Sequence, residues 1–245
     1  AALDLEHPDF RRAVEAGITT ALISPSPDNL VSGTAMVVKT ARGPNTILRE
    51  AGPLVLSLGP RTWEYDRAPT SRIVAMDMLR GVLSEAKDGR GHDRLQRFVS
   101  GDLGAIVHCG EAMDAGAALR TLGEYGARYN ILYQGDEPFI VDEMAGSGIG
   151  IIVGPYDFGV SRVGLSMPAR LAAAETAVAF AANMPAASGE SLRVTAALAV
   201  RGGMDAAKAR QAMSSITAGM AGVGSRVGAL KGGLDEDMGI FSGDT

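Results

Sequence analysis

From about residue 70 onward the apolar positions of this chain alternate between two patterns. In "SRIVAMDMLRGVLSEAKDG" they recur at helical spacing, with Ser71 placed as a cap and Gly89 just past the end. "LGAIVHCG" is instead a continuous apolar run, the pattern of a parallel strand buried on both faces. The alternation then continues. "EAMDAGAALRTLGEYG" reads as helix, "YNILYQG" as strand, "PFIVDEMAGSG" as helix, "IGIIVGP" as strand, "PARLAAAE" as helix and "TAVAFAAN" as strand. Two further helices follow in "GESLRVTAALAVRGG" and "DAAKARQAMSSITAGMAG". Strands separated by helices of this length imply parallel βαβ units with right-handed crossovers.

The first part of the chain is less regular. Asp9 to Ala16 reads as a short helix with Asp9 as N-cap and Gly17 as the stop, and "ITTALISPSP" as a β-branched strand ending in a proline turn. "TAMVVKT" and "GPLVLSLGP" are two more short apolar runs. About seven strand candidates result. They suit a TIM-like (β/α)8-type barrel better than an open sheet, although periodicity alone is also compatible with a doubly wound fold. The tail "RVGALKGGLDEDMGIFSGDT" has turn residues, an acidic cluster and then "MGIFSGD" as an expected last strand. The expected division is therefore an α/β barrel over 1–226 and a short C-terminal β appendage over 227–245.

Composition narrows the class. The 245 residues match a single α/β barrel, and 46% hydrophobic against 21% charged residues supply a substantial core. With 23 basic and 28 acidic residues the net charge is −5, and no Lys/Arg-rich run occurs, which argues against nucleic-acid binding. No apolar run approaches the ~18 residues needed to cross a membrane. The chain reads as soluble and globular. The cytoplasm is favoured, and a processed exported protein would look the same. The single cysteine, Cys109, allows no intramolecular disulfide and reads as a buried structural thiol.

Several stretches carry candidate chemistry. His108 ends an apolar strand, at the end of a parallel strand where barrel active sites lie; it is equally readable as a metal-binding imidazole or as a hydrogen-bonded rim histidine. His7 and His92 lie in polar, exposed stretches. Three histidines and one cysteine make a Cys/His zinc site hard to assemble. "GSGIGIIVG" has the glycine spacing of a dinucleotide site, but in the order helix, glycines, strand, which suits a helix end better than a phosphate cradle. "LDEDMG" lacks the spacing of a calcium loop and reads as a solvated turn, and Lys39 reads as an ion-pairing residue ahead of a catalytic or carbamylated one.

In four stretches the chain resembles the amidohydrolase superfamily, in its imidazolonepropionase-like branch. "FRRAVEAGITTALISPSPDNLVSGTAMVVKT" is similar to the family's segment after the first barrel strand. "GAIVHCGEAMDAGAALRTLGEYGARYNILYQGDE" resembles its fifth and sixth strands with the helix between, and "ARLAAAETAVAFAAN" the approach to the eighth. "ALAVRGGMDAAKARQAMSSITAGMAGVGSRVGALKGGLDEDMGIFSGD" looks like its terminal helices and closing strand. The likeness runs from about Phe10 to Asp244. It implies a metal held by a His-x-His pair after the first strand, by histidines after the fifth and sixth, and by an aspartate after the eighth that also serves as base.

Carried over residue by residue, the resemblance places His108 at the fifth-strand histidine, Gln134 at the sixth-strand histidine and Asn183 at the aspartate. No His-x-His pair occurs. A carboxamide is a weak metal donor and no base at neutral pH. The resemblance thus implies a barrel lacking its first strand, with degenerate metal ligands, no resident cofactor, and a structural role or one in binding a small polar ligand. The alternative is a metal-dependent hydrolase of C–N bonds in cyclic amides or amino-acyl compounds. It would use zinc or another divalent ion, be completed by an N-terminal segment or a partner chain, and have Asp136, Glu137, Asp157 or Lys39 as substitutes.

Overall fold

Proline placement sets the first helix, α1 (Pro8–Glu15). Pro8 occupies the first helical position, where a missing N–H costs nothing, so the cap falls one residue earlier, on His7. Its Nδ1 accepts the Asp9 N–H at 3.4 Å. Asp9, expected as the cap, instead lies in the first turn and pairs with Arg12 at 2.8 Å. The computed structural model describes residues 3–242 apart from 42, 44, 45, 64, 65, 236 and 241.

Two sheets follow. β1 (Thr20–Ile23), β3 (Met36–Lys39) and β4 (Ile47–Arg49) form a three-stranded antiparallel sheet in the order β1-β3-β4. The second sheet has six strands in the order β2-β5-β6-β7-β8-β9: β2 (Val31–Thr34), β5 (Leu54–Ser57), β6 (Ala105–Cys109), β7 (Tyr129–Tyr133), β8 (Gly150–Val153) and β9 (Val178–Phe180). β2 runs antiparallel to β5, and the other pairs are parallel. The two runs expected as early barrel strands, β1 and β3, thus belong to a separate sheet, and β2 and β4 were not expected as strands. Each is short, and β2 contains Gly33 at φ +119°, so neither gives a clean apolar run. The six-stranded sheet does not close on itself, and β2 and β9 remain its two edges.

The crossings are helical. α2 (Arg72–Lys87) and α3 (Asp93–Val99) lie between β5 and β6; α4 (Ala112–Gly123), α5 (Phe139–Gly146) and α6 (Arg162–Ala173) follow β6, β7 and β8 in turn. α3 went unrecognised in the sequence because its cap is a histidine; His92 Nδ1 accepts the Arg94 N–H at 3.1 Å. α6 begins well before "PARLAAAE", at the Ser161 cap, and carries Pro168 inside it. Having no N–H, Pro168 leaves the Gly164 carbonyl four residues earlier without its usual helical donor. The glycines around Gly148 do end a helix and lead into β8, as their order implied.

After β9 come α7 (Ser191–Arg201), α8 (Ala206–Met213) and α9 (Ser215–Met220). The last two were expected as one helix and break at Ser214, where ψ is −93°. Residues 238–240, expected within a final strand, are irregular, while Phe241 and residues 243–245 lie outside the described residues. No helix among the described residues is long and apolar enough to cross a membrane.

Three apolar clusters organise these pieces. The largest packs one face of the six-stranded sheet, including Leu56, Val107, Ile131, Tyr133 and Val153, against the helices. On the opposite face Ile106, Ile152 and Ala179 meet Leu22 of β1 together with Ile216 and Met220 of α9. A Cβ at Gly150 would collide with Met220 and Asn130, so glycine is what lets α9 sit this close. The third cluster joins Val37 of β3 to Ala218, Ala221, Val223 and Val227. Lys39 ties the same sheet to the tail through Asp235 at 2.8 Å and Asp237 at 3.0 Å. "LDEDMG" is therefore partly engaged in ion pairs rather than wholly solvated.

Candidate functional site

Strand register decides which face each candidate takes. Side chains alternate along a strand, so His108, two residues after Ile106, faces the inner cluster with Ile106 and Ile152. Its register neighbours are Ser57 on β5 and Leu132 on β7. Gln134 continues the alternation of Leu132 just beyond the end of β7 and is exposed, its backbone N–H bonded to the Cys109 carbonyl at 3.0 Å. Asn183 lies three residues past β9, exposed, in the left-handed region at φ 55°, a conformation asparagine tolerates better than most residues. Its carbonyl accepts from the Ala187 N–H at 3.0 Å and starts the turn into α7.

Burial sets the state of His108. Loss of solvent, reinforced by the nearby Arg61 guanidinium, lowers its pKa from 6.5 to about 4, so the imidazole is neutral at physiological pH. Arg61 itself pairs with Asp28 at 2.7 Å, and Asp28 is held below the usual carboxylate range by Ser26 first and then by Arg61. No hydrogen bond to the imidazole is made by any described residue. A neutral imidazole with a free lone pair can accept a hydrogen bond, take a proton or bind a metal.

The two carboxylates after β7 do not turn to this histidine. Tyr133 faces the helix side, and its hydroxyl donates a short hydrogen bond to Glu137. Burial first, and Glu137 next, push the Tyr133 phenol well up, so it stays a donor. Gly135 lets the chain fold over this pair, since a Cβ there would strike both the Tyr133 hydroxyl and the Glu137 carboxylate. Asp136 is exposed, with its Cβ beside Gly164 of α6. Asp157 is also exposed, and its Oδ1 accepts from the Gly159 N–H at 2.7 Å in a local turn. Lys39 is held by Asp235 and Asp237 on the other sheet, and these carboxylates keep its ammonium charged, so it is no free amine. Cys109 is fully buried, and loss of solvent pushes its thiol well up, which makes it inert.

The structure therefore places His108, Gln134 and Asn183 at or beyond the ends of β6, β7 and β9, with no acidic companion among the described residues. Among the described residues no three His, Cys, Asp or Glu side chains converge to hold a metal ion. One imidazole and two carboxamides are a poor donor set for zinc, so the residues present do not fit the metal that the resemblance implies.

Two features of the rim escaped the sequence reading. Ser57 lies beside His108 in register, and only its place at the end of "LVLS" hinted at this. Arg72, the first residue of α2, reaches across to α4, pairing with buried Asp114 and with exposed Glu111, both at 2.7 Å, and stacking 5.0 Å from the Trp63 ring centroid. Asp114 also accepts the Glu111 N–H at 3.1 Å, closing the cap of α4.

No protein-family model matches this chain, and no curated protein sequence matches it. Among solved structures it is similar to an amidohydrolase from Thermotoga maritima MSB8, with a TM-score of 0.82 and 21% identity, over 96% of this chain and 69% of that one. A second likeness, to an uncharacterized protein, has a TM-score of 0.48 and 13% identity over 69% of this chain and 43% of the other. The first of these shows the fold: a parallel sheet with flanking helices, arranged as in that amidohydrolase.

Proposed function

We propose that this chain is an amidohydrolase-like barrel whose metal site has degenerated, and that its role is structural or the binding of a small polar ligand at the strand ends. The observation that supports this is the donor set. His108 is the one imidazole at the rim among the described residues, and the other two positions are exposed carboxamides. Such a rim offers one neutral acceptor and two amide groups, which suits hydrogen bonding to a neutral polar molecule better than hydrolysis. In the same reading the barrel is incomplete, lacking a first strand between β9 and β2. The described residues of the run 227–245 then belong with the three-stranded sheet as the appendage of a composite sandwich; the packing of Val227 with Val37 supports that grouping.

A second reading is a metal-dependent hydrolase of non-peptide C–N bonds, completed by an N-terminal segment or a partner chain. It is favoured by one observation: His108 faces inward in the neutral state a metal ligand requires. Zinc content after incubation and desalting separates the two. The degenerate site should retain less than about one zinc per ten chains, since a lone imidazole gives zinc one of the four ligands it takes. Near-stoichiometric zinc that disappears in His108→Ala would establish the second reading.

A further inference from the structure

Four successive strand-to-helix crossings each carry one large, exposed apolar side chain at the same level of the fold. After β5 it is Ile73, second residue of α2 and 82% exposed; after β6 it is Met113, second residue of α4 and 60% exposed. After β7 it is Phe139, first residue of α5 and 68% exposed, and after β8 it is Phe158, three residues before the Ser161 cap of α6 and 88% exposed. All four stand at or just before helix N-termini, and therefore on the rim beyond the strand ends. Arg72, the residue before Ile73, sets its Nη1 3.6 Å from Met113 Sδ, so the N-termini of α2 and α4 adjoin.

Nothing in the local fold requires this exposure. The neighbouring residues Ala75, Ala115 and Ile140 supply the buried contacts of these helices. The two phenylalanines alone present on the order of 300 Å² of surface, and with Ile73 and Met113 the crown reaches the range of roughly 300–600 Å² that marks an interaction site on a monomer. Neighbouring helices lie about 10 Å apart, so the crown runs about 30 Å, the length of a helix of about 20 residues.

Charge selects the occupant. Between residues 134 and 162 the chain has five carboxylates, Asp136, Glu137, Asp142, Glu143 and Asp157, against one arginine, Arg162. Glu137 is bound to Tyr133, Asp142 pairs with Arg170 at 2.6 Å, and Glu143 lies 3.8 Å from Arg120. Asp136 and Asp157 are exposed and have no ion pair with a described residue. A second copy docked two-fold on this face would set these acids against themselves, and an anionic lipid surface would repel them.

We propose that this apolar, acidic rim is a docking surface for a basic amphipathic segment of another protein, one carrying large apolar side chains together with lysine or arginine. Ile73, Met113, Phe139 and Phe158 receive its apolar face, while Asp136 and Asp157 meet its cations. The docking test reads peptide binding and the zinc test reads metal content, so the two readings fail separately.

The test uses the whole chain and two fluorescent 18-residue helical peptides with the same leucine pattern, one filled with lysine and one with glutamate, read by anisotropy. The lysine peptide should bind at least tenfold more tightly than the glutamate peptide. Phe139→Ser/Phe158→Ser should weaken it at least tenfold, and Asp136→Asn/Asp157→Asn at least threefold at low salt with a shallower salt dependence. All four positions are exposed, so thermal melts should match the unsubstituted chain; if the double serine variant does not fold, Asp136→Lys/Asp157→Lys provides the same comparison. Equal binding of the two peptides, or lysine-peptide binding unchanged in both variants, overturns the proposal. So does light scattering that finds a dimer which Phe139→Ser/Phe158→Ser dissociates, because the occupant would then be a second copy.

Discussion

Replacing Arg72 with methionine is expected to cost about 3 kcal/mol of folding stability at pH 7, the scale for removing one partner of a buried ion pair. Asp114 has no exposed side-chain surface, and Arg72 Nε at 2.7 Å is its counter-charge. Burial already pushes the Asp114 carboxyl up, and Arg72 offsets only part of that. With the guanidinium gone, the hydrogen bond left to Asp114 among the described residues is the one from the Glu111 N–H. Methionine keeps apolar contact with Trp63, so most of the loss is electrostatic. Adding Asp114→Asn should restore at least half of it, because the amide keeps the capping acceptor without the charge. The pH dependence has a definite sign. A carboxyl whose folded pKa lies above its unfolded value binds more protons in the native state, so the Arg72→Met chain should regain stability as pH falls toward the carboxylate range. Urea melts at pH 7 and pH 5 measure both effects. A loss below about 1 kcal/mol, the scale of an exposed pair, would show that Asp114 is solvated.

That ion pair also marks the limit of what the sequence discloses. Continuous apolar runs made β6 and β8 legible, because a strand buried on both faces has no polar alternation to hide it. α2 and α7 were legible for the opposite reason, with apolar positions repeating on one face. The sheet to which β1 and β3 belong was not legible, since periodicity reports local conformation and not the partner. The positions of Leu22 and of α9, each touching both the inner face of the large sheet and the core of the small one, show how the two meet. Within the site, the resemblance put His108, Gln134 and Asn183 at strand ends, and the structure sets them there. The tie between Glu137 and Tyr133 and the reach of Arg72 to Asp114 depend on side-chain direction and on contacts 42 residues apart, for which no local pattern exists.

The histidine itself supplies the second large effect: His108 should make the chain lose up to about 3 kcal/mol as pH falls from 6.5 to 4. Its folded pKa is about 4 against 6.5 in the unfolded chain. Between those values the unfolded chain binds more protons than the native one, so stability falls with pH across that window and levels off below it. His108→Gln, which is never charged, should remove this slope while leaving the carboxylates and the exposed caps His7 and His92 unchanged. The difference between the two melting profiles therefore isolates one imidazole. Parallel profiles would mean that the ring reaches water in the native chain, and its neutral state at the rim would need another cause. Zinc adds an independent constraint. An ion held by this nitrogen competes with the proton, so zinc bound at pH 7 would raise stability there and steepen the loss on acidification. Under the degenerate reading the profile with zinc should overlay the profile without it. A zinc-dependent steepening that His108→Gln abolishes would instead show that this lone histidine, with ligands from outside the described residues, still holds a metal.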